Sequence, residues 1–243
     1  MCRLLGYVSA SQTNIPKISG RDFSDFLALS QVHKDSWGLA LDTGHGSEVI
    51  KSAETAISSE RFHSSIQTEA TGGLLHFRWA SPGLAITDEN AHPFTRDGIS
   101  FIHNGAIQPY EALVGSIPAE LLEFRIGTGD SELFFLFAMS KIRYLGLREG
   151  VLETIRTLKS DFSYSSINSM FLSEDTLVVI SEHNPNNRPS WSTPEYYELR
   201  YRLDEAGCLV ASSGWNQSGW VLMPNHSALI VDRKNMTVEL LSI

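Results

Sequence analysis

The sequence has few cysteines, no long hydrophobic run and no basic tract. Cys2 and Cys208 are too few for a disulfide scaffold and too far apart for a thiolate zinc site. No apolar run approaches the roughly 20 residues that span a bilayer. Ser9, Ser11 and Asn14 stand where a signal peptide would have its apolar core. These absences argue against a membrane protein and a secreted scaffold.

Composition is that of an ordinary globular protein. The chain has 243 residues, of which 42% are hydrophobic and 19% charged, and its net charge is -9. This length suffices for a full hydrophobic core. The acidic balance and the lack of a basic stretch argue against nucleic acid as a partner. No shift in composition marks a linker, so we expect a single domain over residues 1–243, located in the cytoplasm.

Hydrophobic periodicity predicts strands at both ends of the chain and helices between them. Arg3 to Ala10 is apolar and indicates a buried strand, whereas Ser131–Tyr144 and Val151–Lys159 have the spacing of long helices. Pro109–Val114 and Pro118–Phe124 indicate short helices that begin with proline. Strand, helix and strand in this order predict an α+β layered fold with mainly antiparallel sheets.

Cys2 is a candidate nucleophile because of its position. A cysteine attacks as its thiolate and needs a base, since a free thiol has a pKa of about 8.5. Removal of Met1 would give Cys2 a free α-amine, a group with a pKa of about 7.7–8.0, which can take the thiol proton. The alternative is that Cys2 is only a small apolar residue at the start of a buried strand.

Two further clusters follow apolar strands. Arg78 offers a planar fork for a carboxylate, or it pairs with a surface acid. Asn104 and Gly105 offer an amide and a backbone N–H as oxyanion donors, or they form a hairpin turn, which Asn-Gly strongly favours. Asp130 begins the strongest helix, where an acid stabilises the helix dipole; it is also a candidate ligand for an ammonium group.

Four histidines in the first half invite a metal-site interpretation, but their spacing does not match a compact zinc set, and we expect no metal and no cofactor. They are His33, His76, His92 and His103. His92 and His103 are instead expected to fix the loops around the site. Cys208 lies in an apolar strand and is expected in the core.

Several motifs occur together in an order that resembles class II glutamine amidotransferases, which are N-terminal-nucleophile (Ntn) hydrolases. These motifs are Cys2, Arg78-Trp79-Ala80-Ser81, His92-Pro93, His103-Asn104-Gly105 and Gly129-Asp130-Ser131-Glu132. They lie in roughly the first 135 residues. The opening Met1–Tyr7 is similar to a stand-alone branch that includes bacterial glutamine amidotransferases and the γ-glutamyl hydrolase of ergothioneine synthesis.

The resemblance implies a four-layer αββα sandwich and a small-molecule substrate, glutamine or another γ-glutamyl amide. Cys2 would be the nucleophile, with Asn104 and Gly105 forming the oxyanion hole. The substrate's α-carboxylate and α-ammonium would bind to Arg78 and Asp130. Trp79 and Ser81 would shape the pocket. Ser81-Pro82 departs from the Thr-His of many members, so the local hydrogen bonding there can differ.

Three questions stay open at the level of sequence. Ammonia is either passed to a separate synthetase subunit or released by a plain hydrolase. The chain is alternatively an Ntn amidase of the bile-salt or penicillin-V type, or a non-catalytic subunit that binds a partner. Residues 183–195, which include Trp191, and the stretch from Trp215 to Trp220 are candidates for the leaving-group side of the site.

Overall fold

The strands form two antiparallel sheets. The computed structural model describes residues 2–44, 46–81 and 83–243. Within these residues the strands are β1 (Arg3–Thr13), β2 (Ser36–Asp42), β3 (Ser47–Ser52), β4 (Ala70–Arg78), β5 (Phe94–Arg96), β6 (Ile99–Gln108), β7 (Ser163–Leu172), β8 (Thr176–Ser181), β9 (Leu199–Asp204), β10 (Gly207–Ser212), β11 (Val221–Leu222), β12 (Ser227–Asp232) and β13 (Thr237–Ser242). The first sheet has the order β11-β9-β10-β1-β4-β2-β3, and the second has the order β13-β12-β8-β7-β6-β5.

The helices lie on the outer faces of the two sheets. They are α1 (Ile15–Ser19), α2 (Asp22–Ala28), α3 (Glu60–Ser65), α4 (Ala119–Leu122), α5 (Asp130–Leu145) and α6 (Leu147–Asp161), with 3-10 turns at Leu29–Gln31, Ala56–Ser58, Asp88–Asn90, Tyr110–Ser116 and Pro185–Asn187. No helix in the described ranges is long and apolar enough to cross a bilayer.

Three hydrophobic clusters define four layers. Helices α5 and α6 pack on the second sheet, α1 to α3 pack on the first, and a third cluster fills the space between the sheets. Representative neighbours are Phe134 and Phe101 in the first cluster, Phe26 and Phe77 in the second, and Leu4 and Met170 in the third. This arrangement confirms the α+β prediction and the αββα sandwich implied by the resemblance.

The strand that follows Cys2 lies in the middle of its sheet. β1 pairs with β10 on one side and with β4 on the other. Leu5 and Tyr7 face the helical layer, whereas Leu4 and Val8 face the other sheet. Side chains alternate across a strand, so a strand covered on both faces is apolar throughout. This explains the unbroken apolar run at the start of the sequence.

The long helices agree with the sequence pattern to within a few residues, and both short helices are present. The helix predicted for Pro109–Val114 is a 3-10 helix, Tyr110–Ser116. The helix predicted for Pro118–Phe124 is a single turn, Ala119–Leu122. Segments this short cannot offset the cost of helix nucleation, so their tertiary contacts decide their form.

We expect Phe134→Ala to lower the free energy of unfolding by about 3–5 kcal/mol, because the ring is fully buried on α5 and its loss leaves a cavity. Denaturant titration measures the change. Tyr144→Ala on the same helix is the control, since Tyr144 is 85% exposed and should change stability by less than about 0.5 kcal/mol. Equal losses for both variants would contradict this packing.

Candidate active site

The backbone nitrogen of Cys2 is held by a side chain from the opposite sheet. It donates a hydrogen bond of 2.8 Å to Oδ1 of Asn104, which lies on β6. Both residues are buried. The contact joins the start of the central strand of one sheet to the middle of a strand of the other, 102 residues further along the chain.

The same contact sets the orientation of the Asn104 amide. A backbone N–H can only donate, so the atom that faces it must be the carbonyl oxygen. Nδ2 is thereby directed elsewhere, and it is buried without a hydrogen-bond partner among the described residues. An unpaired buried donor costs about 1–3 kcal/mol. Such a group in a cleft is a donor available to a ligand.

Gly105 is required by the close approach of β7. A Cβ at this position would lie 1.8 Å from the carbonyl oxygen of Ser166. Asn104 and Gly105 pair with Asn168 and Ile167 in the middle of the ladder between β6 and β7. The hairpin turn considered for Asn104-Gly105 is therefore wrong, because the non-local pairing with β7 overrides the local turn preference.

Arg78 is buried at the end of β4. Its Nη1 donates to the carbonyl oxygen of Ala85 at 3.1 Å. It makes no ion pair with any carboxylate of the described residues. The alternative of a surface ion pair therefore fails, and the guanidinium lines the same cleft as Cys2.

Asp130 begins α5 and also binds β6. The ladder between β6 and β7 shifts register between Ala106 and Ile107, and Asp130 Oδ2 accepts a 2.9 Å hydrogen bond from the Ile107 N–H. Ser131 Oγ donates to Oδ1 at 3.4 Å. The carboxylate thus satisfies a donor at an irregularity of the strand and lies half-buried in the cleft with Cys2.

Trp79 and Ser81 follow β4 and stand at a boundary between two cavities. Both line the cleft with Cys2, and both also line an adjoining cavity of about 430 Å³. Trp191, from the predicted leaving-group segment, also lines that cavity, and its ring centre lies 5.0 Å from that of Trp79. Trp215 borders a different cavity with Arg3. Pro82 lies outside the described residues.

Three buried histidines pack at the cleft, and two of them, His92 and His103, line it. Burial lowers the pKa of His76 and His92 well below the usual value, and burial also lowers that of His103. His76 and His92 stack at 4.1 Å between ring centroids. His103 contacts Ser131 Oγ through Nδ1 at 2.9 Å. The described residues contain no cluster of His, Cys, Asp or Glu that could hold a metal ion.

Arg3 is a site residue that sequence reasoning missed. It is buried, and Nη1 donates to the carbonyl oxygens of Cys2 and Tyr196 at 3.3 and 3.2 Å. Its guanidinium lies 4.0 Å from the centre of the Tyr196 ring. Burial lowers the pKa of Arg3, while Tyr196 and Cys2 oppose the shift. A lone arginine inside an apolar strand was the available signal.

The structure brings all seven predicted site residues together. Six of them line one cleft, and the seventh, Asn104, contacts the Cys2 nitrogen; the six are Cys2, Arg78, Trp79, Ser81, Gly105 and Asp130. The cleft holds a thiol, a cation and an anion, and the Asn104 amide that contacts the Cys2 nitrogen has an unpaired donor. This set can attack an amide and bind a zwitterionic group.

An αββα sandwich with a cysteine at the start of a central strand is the architecture of the Ntn hydrolases. Over residues 1–185 the chain matches the glutamine amidotransferases of class II, and it belongs to that family. The prediction of an enzyme of the hydrolase or glutamine amidotransferase kind is thereby confirmed at the level of the family.

The curated relatives are matched over a small part of their own length. The chain is 36% identical over 121 residues to glutamine–fructose-6-phosphate aminotransferase of Aquifex aeolicus. The matched segment is 49% of this chain and 18% of that protein. The chain thus spans less than a third of the length of such relatives. A glutamine aminotransferase class-II domain protein from Silicibacter pomeroyi has the same fold, with a TM-score of 0.68, 16% identity and coverage of 100% and 99%.

A second structural neighbour is similar over about half of its length. Glutamine phosphoribosylpyrophosphate amidotransferase from B. subtilis superposes with a TM-score of 0.65 and 17% identity, covering 98% of this chain and 49% of that one. At this identity the likeness shows the fold alone.

We expect Gly105→Ala to destabilise the protein by about 1–3 kcal/mol, because the added methyl group would meet the backbone of β7 rather than a movable side chain. Gly115→Ala is the matched control, since no atom lies within 4 Å of a Cβ there. Urea unfolding of both variants tests this. Equal stability of the two would show that β6 and β7 are further apart than described.

Proposed function

We propose that Cys2 cleaves the γ-amide of glutamine or of another γ-glutamyl compound through a γ-glutamyl thioester. One observation carries the proposal: Asn104 Oδ1 accepts from the Cys2 nitrogen, while Asn104 Nδ2 is left buried and unpaired. A single amide group thus links the nucleophile's own nitrogen to a donor for the oxyanion.

The chemistry begins with the removal of Met1. The nitrogen of Cys2 then becomes a free α-amine and keeps Asn104 Oδ1 as its partner. It accepts the thiol proton, and the thiolate attacks the γ-carbonyl carbon. Negative charge develops on the carbonyl oxygen, which accepts hydrogen bonds from Asn104 Nδ2 and the Gly105 N–H. The C–N bond then breaks, and the amine leaves with a proton from the protonated α-amine of Cys2. Water hydrolyses the thioester, which releases glutamate and restores the Cys2 thiol.

The glutamyl head group is proposed to bind between Arg78 and Asp130. Arg78 pairs with the α-carboxylate of the substrate. Asp130 accepts a hydrogen bond from the substrate's α-ammonium through lone pairs that the Ile107 N–H does not occupy. Trp79 and Ser81 form the wall of the pocket. A cation and an anion that line the same cleft favour a zwitterionic amino acid over the substrates of bile-salt or penicillin-V amidases.

The fate of the leaving group distinguishes two versions of this function. The curated relatives are much longer, and this chain spans less than a third of their length. We propose that residues 1–243 form a single cytoplasmic domain that acts as a hydrolase and needs no cofactor. Transfer of ammonia to a separate synthetase subunit is the second version, and it predicts that an added partner changes the fate of the nitrogen but not the use of Cys2.

We expect Cys2→Ala to abolish glutamate release from glutamine and γ-glutamyl peptides, since no other thiol lies in the cleft. Cys208→Ala is the control, because Cys208 lies in the core, where burial raises the pKa of its thiol to about 12. Enzyme-coupled glutamate assays measure release, and mass spectrometry confirms that Met1 is absent.

Labelling by the glutamine analogue diazo-oxo-norleucine separates an enzyme from a binding subunit. The proposal requires one covalent label on Cys2 of the trimmed chain. Undiminished glutamate release by Cys2→Ala would remove Cys2 as the nucleophile. A trimmed chain that takes no label would favour a non-catalytic subunit.

We expect Asn104→Ala to lower kcat by on the order of 10²–10³, with a smaller effect on KM, because the lost donor acts on the charge of the transition state. Steady-state kinetics on glutamine provide the measurement. Asn235→Ala, at an exposed turn, is the control and should be neutral. A loss confined to KM would assign Asn104 to ground-state binding instead.

A further inference from the structure

The cavity beside the cleft is larger than a glutaminase needs. It encloses about 430 Å³ and shares Trp79 and Ser81 with the cleft that contains Cys2. Small-molecule sites typically enclose about 300–1,000 Å³. Glutamine releases ammonia, which has no need of such a volume. The cavity adjoins the Cys2 cleft at these two residues, on a side where the departing amine of a larger γ-glutamyl amide could lie.

Two indole rings give the cavity flat walls. The rings of Trp79 and Trp191 lie 5.0 Å apart at 37°. Trp191 packs edge-on against Tyr196 at 5.1 Å, and Tyr196 is covered on its face by the guanidinium of Arg3. The wall is therefore supported by the residue that follows the nucleophile. Flat apolar walls select planar or extended apolar groups.

Arg188 gives the cavity its charge. It is the one charged side chain among the described residues that line the cavity. Its Nη1 is shielded from solvent and has no hydrogen-bond partner in the described part of the chain. No carboxylate of these residues forms an ion pair with it, although the chain as a whole has a net charge of -9. An unpaired guanidinium donor in a cavity is suited to an anion, above all a carboxylate.

We propose that this cavity binds the leaving amine of a γ-glutamyl amide, and that this amine is flat or apolar and carries a carboxylate. The inference rests on the proposed function. The C–S bond to Cys2 forms first and places the charge on the carbonyl oxygen. Collapse of this adduct then breaks the γ C–N bond, and the amine nitrogen takes the proton that the thiol lost. The free amine then leaves along the face of the indole pair, with its carboxylate on Arg188. Water completes the reaction and releases glutamate.

A matched pair of substrates tests the carboxylate. γ-Glutamyl-3-carboxy-4-nitroanilide and γ-glutamyl-4-nitroanilide differ by one carboxylate, and both release a coloured amine. We expect wild-type enzyme to prefer the carboxylated substrate in kcat/KM by on the order of tenfold or more, as a charge-assisted hydrogen bond allows. Comparison of this ratio between variants cancels the difference in intrinsic reactivity.

Three variants assign the preference to the cavity. Arg188→Gln should bring the ratio of the two kcat/KM values close to one, and Arg188→Lys should restore part of it. Arg61→Gln removes an exposed arginine on α3 and should leave the ratio as in wild type. Trp191→Leu should lower kcat/KM for both anilides by a similar factor, because both aromatic rings would pack on the flat wall. If Arg188 had only a structural role, its substitution would lower kcat/KM for both substrates by the same factor and leave the ratio unchanged.

A binding measurement keeps the two proposals apart. Cys2→Ala protein is titrated with 5-amino-2-nitrobenzoate and with 4-nitroaniline, and tryptophan fluorescence is followed. Tighter binding of the carboxylated amine that is lost in Cys2→Ala/Arg188→Gln supports the cavity proposal. This holds even if the enzyme hydrolyses no substrate, and in that case only the proposed hydrolysis is overturned. Equal binding of both amines, or an unchanged substrate ratio in Arg188→Gln, overturns the cavity proposal while glutamine hydrolysis stands.

Discussion

The site depends on one hydrogen bond between two sheets, from the Cys2 nitrogen to Asn104 Oδ1. Neither partner acquires its position locally: β1 places the first, β6 places the second, and the apolar cluster between the sheets sets their separation. The bond also decides which end of the Asn104 amide is left over. A small slip of one sheet over the other would remove both the hydrogen bond to the Cys2 nitrogen and the orientation of the Asn104 amide.

The cleft is built from groups that folding alone would not choose. Asn104 Nδ2 and both ring nitrogens of His92 are buried without partners in the described chain, and the guanidinium of Arg78 has no carboxylate. Each unmet buried group costs about 1–3 kcal/mol. Packing on both faces of each sheet offsets that cost. Burial lowers the pKa of His76, His92 and His103, which favours their uncharged forms, so these rings give the cleft shape without adding positive charge beside Arg78.

The sequence predicted the layers and the site's members better than their detailed arrangement. Long helices and the first strand have strong periodicity, and the ordered motifs from Cys2 to Asp130 identified the residues that meet in the cleft. The Asn104-Gly105 pair was open to a hairpin interpretation because turn preference is local, whereas its pairing with β7 joins residues about 60 positions apart. The contacts of Arg3 with Tyr196, and of Asp130 with Ile107, likewise depend on distant segments and leave no local pattern.

The central place of β1 also has a consequence for timing. Its neighbours are β4, which ends at Arg78, and β10, which begins at Gly207. During synthesis the segment after Cys2 therefore waits without one neighbour until residue 207 has emerged. Once both neighbours are in place, Cys2 is buried and its nitrogen is bound. The removal of Met1 that the proposed function requires would therefore meet a free, extended chain end only before β10 pairs with β1, which places that step during or soon after synthesis.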